Sequence, residues 1–211
     1  MEMLNTLGEE IRTRLEAKNH AREQALQHSR SIIRHSALAI RAVHRNERPL
    51  ALEHIGQARS EAGTLRGALA PYPDLYFAGY SQDALKELAE ASIVYALVGG
   101  ERLPSPDELQ VDAAPYLNGL GEAAGELRRH CLDIMRSGDS REAERLLAMM
   151  DDIYSLLVTL DYPDAITGNL RRTTDMVRGV TERTRGDLTL SLRLEATRLA
   201  AAELEERMRK A

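Results

Sequence analysis

Aromatic side chains make up only 4% of these 211 residues, with one Phe and no Trp. Cores of β-sandwiches and barrels draw on aromatic and β-branched residues, so this scarcity argues against an all-β fold and favours helices. Cysteine is scarcer still. The lone Cys131 excludes an internal disulfide and a multi-thiolate zinc site, and it fits a reducing compartment. No run of about 18 apolar residues occurs, and the amino-terminal Met-Glu-Met-Leu-Asn lacks the basic-then-apolar pattern of a secretion signal. The reading is a cytoplasmic protein with no membrane segment. Positive charge is not in excess either: 28 Lys and Arg against 33 Asp and Glu give a net charge of −5, which points away from coating nucleic acid by bulk electrostatics. Gly-rich phosphate loops, the His-Glu-x-x-His zinc motif and the Gly-x-Ser-x-Gly nucleophile elbow are all missing.

Proline is sparse and clustered, at positions 49, 71, 73, 104, 106, 115 and 163, so 1–48, 116–162 and 164–211 can run as long helices. The spacing of Leu15, Leu26, Ile33, Ala37, Ile40 and Val43 predicts an apolar stripe along a first helix of about forty residues. A second helix starts with Pro49 in its first turn and ends near 69, before a loop over 72–80. A third runs over 81–97, capped by Ser81 or Asp83 and closed by Gly99 and Gly100. The segment 101–113 reads as a loop with one helical turn. Helices then follow from 115 to 136, from about 140 to 160 after a stop at 137–139 with Asp139 or Ser140 as cap, from 161 to about 185, and on to 210. Seven helices and no strand give an all-α fold in a single domain, 1–211. The last helix leaves Leu188, Leu190, Leu192, Leu194, Leu199, Leu204 and Met208 on more than one face. Either a second subunit covers one face, or the chain wraps the helix itself.

The first helix is basic on an acidic protein. From Lys18 to Arg45 it carries six Lys and Arg against Glu23 alone, with four of the six histidines, His20, His28, His35 and His44. Its cations spread over one broad side, the arrangement needed to track phosphates, although charge runs often serve only solubility. Carboxylates in apolar stretches are more pointed. Glu87 and Glu90, three apart, lie among Leu85, Leu88, Ala91, Ile93 and Val94, and Asp151 and Asp152 interrupt an otherwise apolar run. Glu122 and Glu126 are four apart. Buried acids need a partner. That partner is either an arginine, with Arg128, Arg129, Arg145, Arg171 and Arg172 as candidates, or a metal such as Mg²⁺ or Mn²⁺, which takes oxygen ligands and can activate water at a phosphoryl group. Cys131 reads as a core residue, since the adjacent His130 diverges from it on a helix.

Four stretches read together resemble the translin superfamily, most closely translin-associated factor X and its prokaryotic, archaeal-type relatives. They are the basic helix from Ala21-Arg22-Glu23 through Ser29-Arg30 to His44-Arg45; Leu85-Lys86-Glu87-Leu88-Ala89-Glu90-Ala91; Tyr116-Leu117-Asn118-Gly119 with Gly125-Glu126-Leu127-Arg128-Arg129; and 161–172 continuing through Asp175, Glu182 and Asp187. The resemblance spans about residues 20–190. It implies a seven-helix translin-like bundle, closed homo-oligomers around a cavity with the octamer as one such form, and binding of single-stranded RNA or DNA. Its factor X branch implies a Mg²⁺-dependent endoribonuclease, with Mn²⁺ as substitute; a binding oligomer without activity is the alternative. Carried over, the catalytic carboxylates fall on Glu87, Glu90 and Asp152, with Asp151 opposite the Asp of the non-catalytic pattern. The family Asp precedes Gly-Phe where this chain has Ile153-Tyr154, so the Asp position stays open between the two. Glu126 would complete the metal shell, and Arg30, Arg34, Arg41 and Arg45 would contact phosphates.

Overall fold

The computed structural model describes residues 1–137 and 140–210. Gly138 and Asp139, with the side chains of Ser137 and Ser140, lie outside them, and so does the predicted stop and cap at 137–140. The described residues are mostly helical, without strands: α1 (Glu2–His44), α2 (Arg48–Leu69), α3 (Pro73–Tyr76), α4 (Gly79–Gly99), α5 (Pro106–Leu109), α6 (Ala113–Ser137), α7 (Ser140–Leu157), α8 (Asp164–Thr167) and α9 (Leu170–Lys210). Six are long and three are single turns. The all-α reading holds, with differences in detail: the expected loop 72–80 contains α3 and the start of α4, and the helix expected from 161 is the single turn α8 followed by α9. The segment 170–210 is one continuous helix rather than two, because no proline interrupts it and helices tolerate isolated glycines such as Gly179 and Gly186. The expected caps at Ser81 and Asp83 are not used: α4 begins at Gly79, and Ser81 is buried inside it, its hydroxyl donating to the Leu75 carbonyl at 2.9 Å.

Helix ends follow local chemistry. Pro49 stands in the first turn of α2, where its missing N–H costs nothing. Gly100, at φ 67°, closes α4 as its N–H donates to Leu97 and that of Glu101 to Ala96. Asn46 (φ 59°) ends α1 the same way, with Glu47 N–H reaching back to the Ala42 carbonyl; both are Schellman arrangements, and Asn is the residue besides Gly that adopts this conformation readily. Ser105 and Glu108 form a reciprocal capping box on α5.

The chain divides into two compact units, Met1–Gly119 and Leu120–Ala211. In the first, α1, α2 and α4 pack around Ala39, Ile40, Ile55 and Ala91, with Tyr95 against them. The seam of α1 is Ala21, Ala25, Ser29, Ile32, Ser36, Ala39 and Val43. Ile40 and Val43 of the expected stripe are buried, but the seam lies about 90° round the helix from its other members Leu15, Leu26 and Ile33. Leu15 and Ile33 are exposed, and small Ala and Ser side chains line the contact instead, as close helix approach requires. In the second unit, Ala143, Leu147 and Leu188 form a core with Ile134, Met135 and Leu192. Beyond Leu192 the C-terminal helix buries nothing, and Leu194, Leu199, Leu204 and Met208 are exposed, so the chain does not wrap this helix. The first turns of α1 likewise expose Leu4, Leu7, Ile11 and Leu15. Among the described residues no helix is long and apolar enough to cross a membrane.

Candidate metal and nucleic-acid site

Glu87 and Glu90 stand on one face of α4, three residues apart as expected. Glu90 is only 7% exposed and Glu87 is half-buried, with Lys86 Nζ 3.6 Å from Glu87 Oε1. A buried carboxylate beside an apolar core is costly unless charge or hydrogen bonds compensate it. What sets the local geometry is α6. A Cβ on Gly119 would lie 2.7 Å from the Lys86 carbonyl oxygen and 3.0 Å from the Glu90 backbone nitrogen, so α6 meets α4 backbone to backbone at the turn that carries both glutamates. Asn118, buried beside it, donates to the Ala114 carbonyl at 2.9 Å, and Tyr116 donates to that of Pro104 at 2.8 Å, fixing the start of α6.

Gly119 to Ser137 is uninterrupted helix. Glu122 and Glu126, three and seven residues beyond Gly119, therefore stand on the side of α6 that Gly119 occupies. Both are half-buried. Glu126 Oε2 is 3.9 Å from Arg129 NH1, a loose pair on an exposed arginine. Within the second unit, Gly121 is also a tight seat, since a Cβ there would fall 2.3 Å from Thr173 Cγ2.

The two aspartates of α7 differ. Asp151 is held by Arg185 of α9 at 2.6 Å, whereas Asp152 is exposed. Several arginines considered as partners for buried acids are engaged elsewhere. Arg128 pairs with Asp187 at 2.8 Å and donates to the Thr184 hydroxyl, Arg145 pairs with Glu142 at 2.6 Å, and Arg171 pairs with Asp161 at 2.8 Å. The Arg145 hydrogen bonds hold the Glu142 carboxyl below its ordinary value. Cys131 is fully buried, as expected, and burial pushes its thiol up to about 11.

On α1, Arg30, Arg34, Arg41 and Arg45 are all exposed. Their spacing confines them to an arc of about 60°, opposite the buried Ala and Ser seam. Among the described residues none of the four has an ion-pair partner, in contrast to Lys18, which meets Asp74 at 2.6 Å, and Arg22, which meets Glu23 at 2.8 Å. A row of unpaired guanidinium groups on a rigid helix leaves fixed positive charge open to solvent along one face.

No protein-family model matches the chain. An uncharacterized protein of Methanocaldococcus jannaschii is 34% identical over 172 residues, covering 81% of this chain and 76% of that protein. Among solved structures, the crystal structure of AfC3PO matches with a TM-score of 0.81 at 34% identity, over 90% of this chain and 98% of the other. The complex of AfC3PO with duplex RNA matches equally, with a TM-score of 0.81 at 33% identity, over 90% and 97%. Apo-NeC3PO shares the fold, with a TM-score of 0.74 at 24% identity, over 89% and 96%.

Proposed function

Because this chain belongs to the translin superfamily, with the C3PO proteins as solved relatives, we propose that it is a Mg²⁺-dependent endoribonuclease that cleaves single-stranded RNA inside a closed homo-oligomer. The observation that carries this reading is the carboxylate pair Glu87 and Glu90, buried or half-buried on α4 beneath the backbone contact of Gly119. Two carboxylates on one face of one helix give an all-oxygen donor set suited to a divalent cation. Such a donor set, without sulfur or imidazole, fits Mg²⁺ or Mn²⁺ rather than zinc.

When bound, the cation supplies Lewis-acid polarisation of the phosphoryl group and a water acidic enough to attack at neutral pH. The residues of the chain do the rest. Glu87 and Glu90 hold the cation in place, and Glu122 and Glu126 on α6 and Asp152, exposed on α7, are the remaining candidate carboxylates. Arg30, Arg34, Arg41 and Arg45 bind the RNA backbone through its phosphates. AfC3PO was crystallised with duplex RNA, and the same basic face suits the backbone of either RNA form. The exposed apolar rows of α1 and α9 support assembly, since large contiguous apolar surface on a soluble chain marks an interface.

The test is incubation of the purified protein with labelled single-stranded and duplex RNA in Mg²⁺, repeated in EDTA and with a Glu87→Ala, Glu90→Ala double variant. Cleavage of the single strand that stops in both controls supports the reading. Cleavage that survives either control overturns the metal assignment, and salt-sensitive binding with no products under any condition leaves an RNA-binding oligomer without activity.

A further inference from the structure

We propose that His35 of α1 and His54 of α2, with Gln57, form a second metal site, one for a borderline transition cation such as Zn²⁺ rather than for Mg²⁺. It stands apart from the carboxylate set and does not depend on the activity assigned above. The two imidazoles meet across the α1–α2 seam with Nδ1 to Nδ1 at 3.3 Å and ring centroids 5.4 Å apart. Gln57 Oε1 lies 3.3 Å from the same His54 Nδ1, and the Gln57 amide nitrogen faces Glu53 Oε1 at 3.4 Å, which turns the amide oxygen toward the histidines.

Only one proton can serve this arrangement. Gln57 Oε1 is purely an acceptor, so His54 Nδ1–H must donate to it, and His35 Nδ1 can then only accept from that same hydrogen. His54 Nδ1 thus has both His35 Nδ1 and Gln57 Oε1 at 3.3 Å, longer than the usual N–H···O or N–H···N distance of about 2.9–3.0 Å. Those separations match a different geometry: ligands about 2.0–2.1 Å from a tetrahedral zinc stand about 3.3 Å from one another. A cation in place of the shared proton leaves its fourth position to water. Both histidines are half-buried, so an ion has access. Burial first, then the neighbouring His54 and Arg34 charges, lower the proton affinity of His35. Glu61, which accepts from His28 Nδ1 at 2.6 Å, contributes negative charge nearby. Imidazole suits zinc, copper and nickel, and Mg²⁺ does not take it from water.

The experiment is a Zn²⁺ titration of the full-length protein in millimolar Mg²⁺, which occupies carboxylate sites, with calorimetry and thermal melting as readouts. Co²⁺ is then substituted so that its visible absorption reports tetrahedral nitrogen ligation. The expected result is one Zn²⁺ per chain that excess Mg²⁺ does not displace, a rise in melting temperature on binding, and a loss of affinity of at least about tenfold in His54→Gln and in His35→Asn. His28→Gln and the double variant Glu87→Gln, Glu90→Gln should bind as the parent does. If His54→Gln folds poorly, His35→Asn and the Co²⁺ spectrum of the parent decide. The proposal is overturned if the parent binds no Zn²⁺ in Mg²⁺, if binding is unchanged in folded His54→Gln or His35→Asn, or if Co²⁺ gives an octahedral spectrum.

Discussion

Gly119 of α6 stands so close to Lys86 of α4 that a methyl group on it would come 2.7 Å from the Lys86 carbonyl oxygen. The obstacle is backbone, so no rotamer change relieves it. Gly119→Ala should therefore force the helices apart and destabilise the protein by about 1–3 kcal/mol, the usual range for overpacking. Gly125→Ala, on the same helix with nothing within 4 Å of its added Cβ, should instead be neutral or stabilising by up to about 1 kcal/mol through helix propensity. Paired urea denaturation of the two variants checks this. Equal effects would show that the contact does not set the α4–α6 geometry.

The carboxylates separate chemistry from binding. Glu87→Gln and Glu90→Gln keep side-chain volume but remove charge, so each should reduce Mg²⁺-dependent cleavage by about 100-fold or more, as expected when a few kcal/mol of metal-based stabilisation is lost. RNA affinity in EDTA should stay within a few-fold of the parent. Glu122→Gln and Asp152→Asn then rank the remaining candidates. A large loss of Mg²⁺ affinity for Glu122→Gln with little for Asp152→Asn would make Glu122 a ligand. The opposite pattern would return that role to Asp152.

The phosphate contacts proposed for the exposed arginines should act additively. Replacing Arg34 or Arg41 by Ala should weaken binding to unrelated RNA sequences alike and flatten the plot of log affinity against log salt by about 0.7 for each lost single-strand contact. Fluorescence anisotropy across a salt series measures both. Arg22→Ala serves as comparison, because Arg22 is already paired with Glu23. A slope unchanged in Arg34→Ala and Arg41→Ala would remove α1 from the RNA surface.

Helix boundaries set by proline and glycine were legible in the sequence because those residues act through their own backbone: Pro49 opens α2 and Gly100 closes α4 where expected. The seam of α1 was legible only at its C-terminal end, where Ile40 and Val43 are buried as expected. Bulky Leu15 and Ile33 dominate a hydrophobicity pattern, but close packing against α2 and α4 selects Ala21, Ala25, Ser29 and Ser36, whose small size rather than hydrophobicity matters. Glu87 and Glu90 could be read as one face from their spacing alone. Glu122 and Glu126 stood out by their spacing of four, but the tightness of Gly119 on the same side of α6 exists only in three dimensions. Asp151 and Asp152 look equivalent in sequence, and only the Arg185 contact tells them apart.

Cys131 gives a prediction free of any functional assignment. Its thiol is fully buried, 3.7 Å from the Ala143 carbonyl oxygen to which it donates, and burial is the main reason its pKa rises from 9.0 to about 11. The thiolate is the reactive form, so the folded protein should resist alkylation by iodoacetamide at pH 8 and become reactive only on unfolding. Linkage fixes the accompanying change in stability. Below pH 9 the thiol is protonated in both states and has no pH-dependent effect. Between pH 9 and 11 the unfolded chain releases this proton while the folded chain keeps it, so the unfolded state gains and stability falls as pH rises. Cys131→Ala removes this contribution along with some packing, and its stability should decline less steeply over the same window. Denaturation midpoints of parent and variant at pH 8, 9, 10 and 11 test the sign: parallel curves would mean that Cys131 does not titrate differently in the folded and unfolded chains.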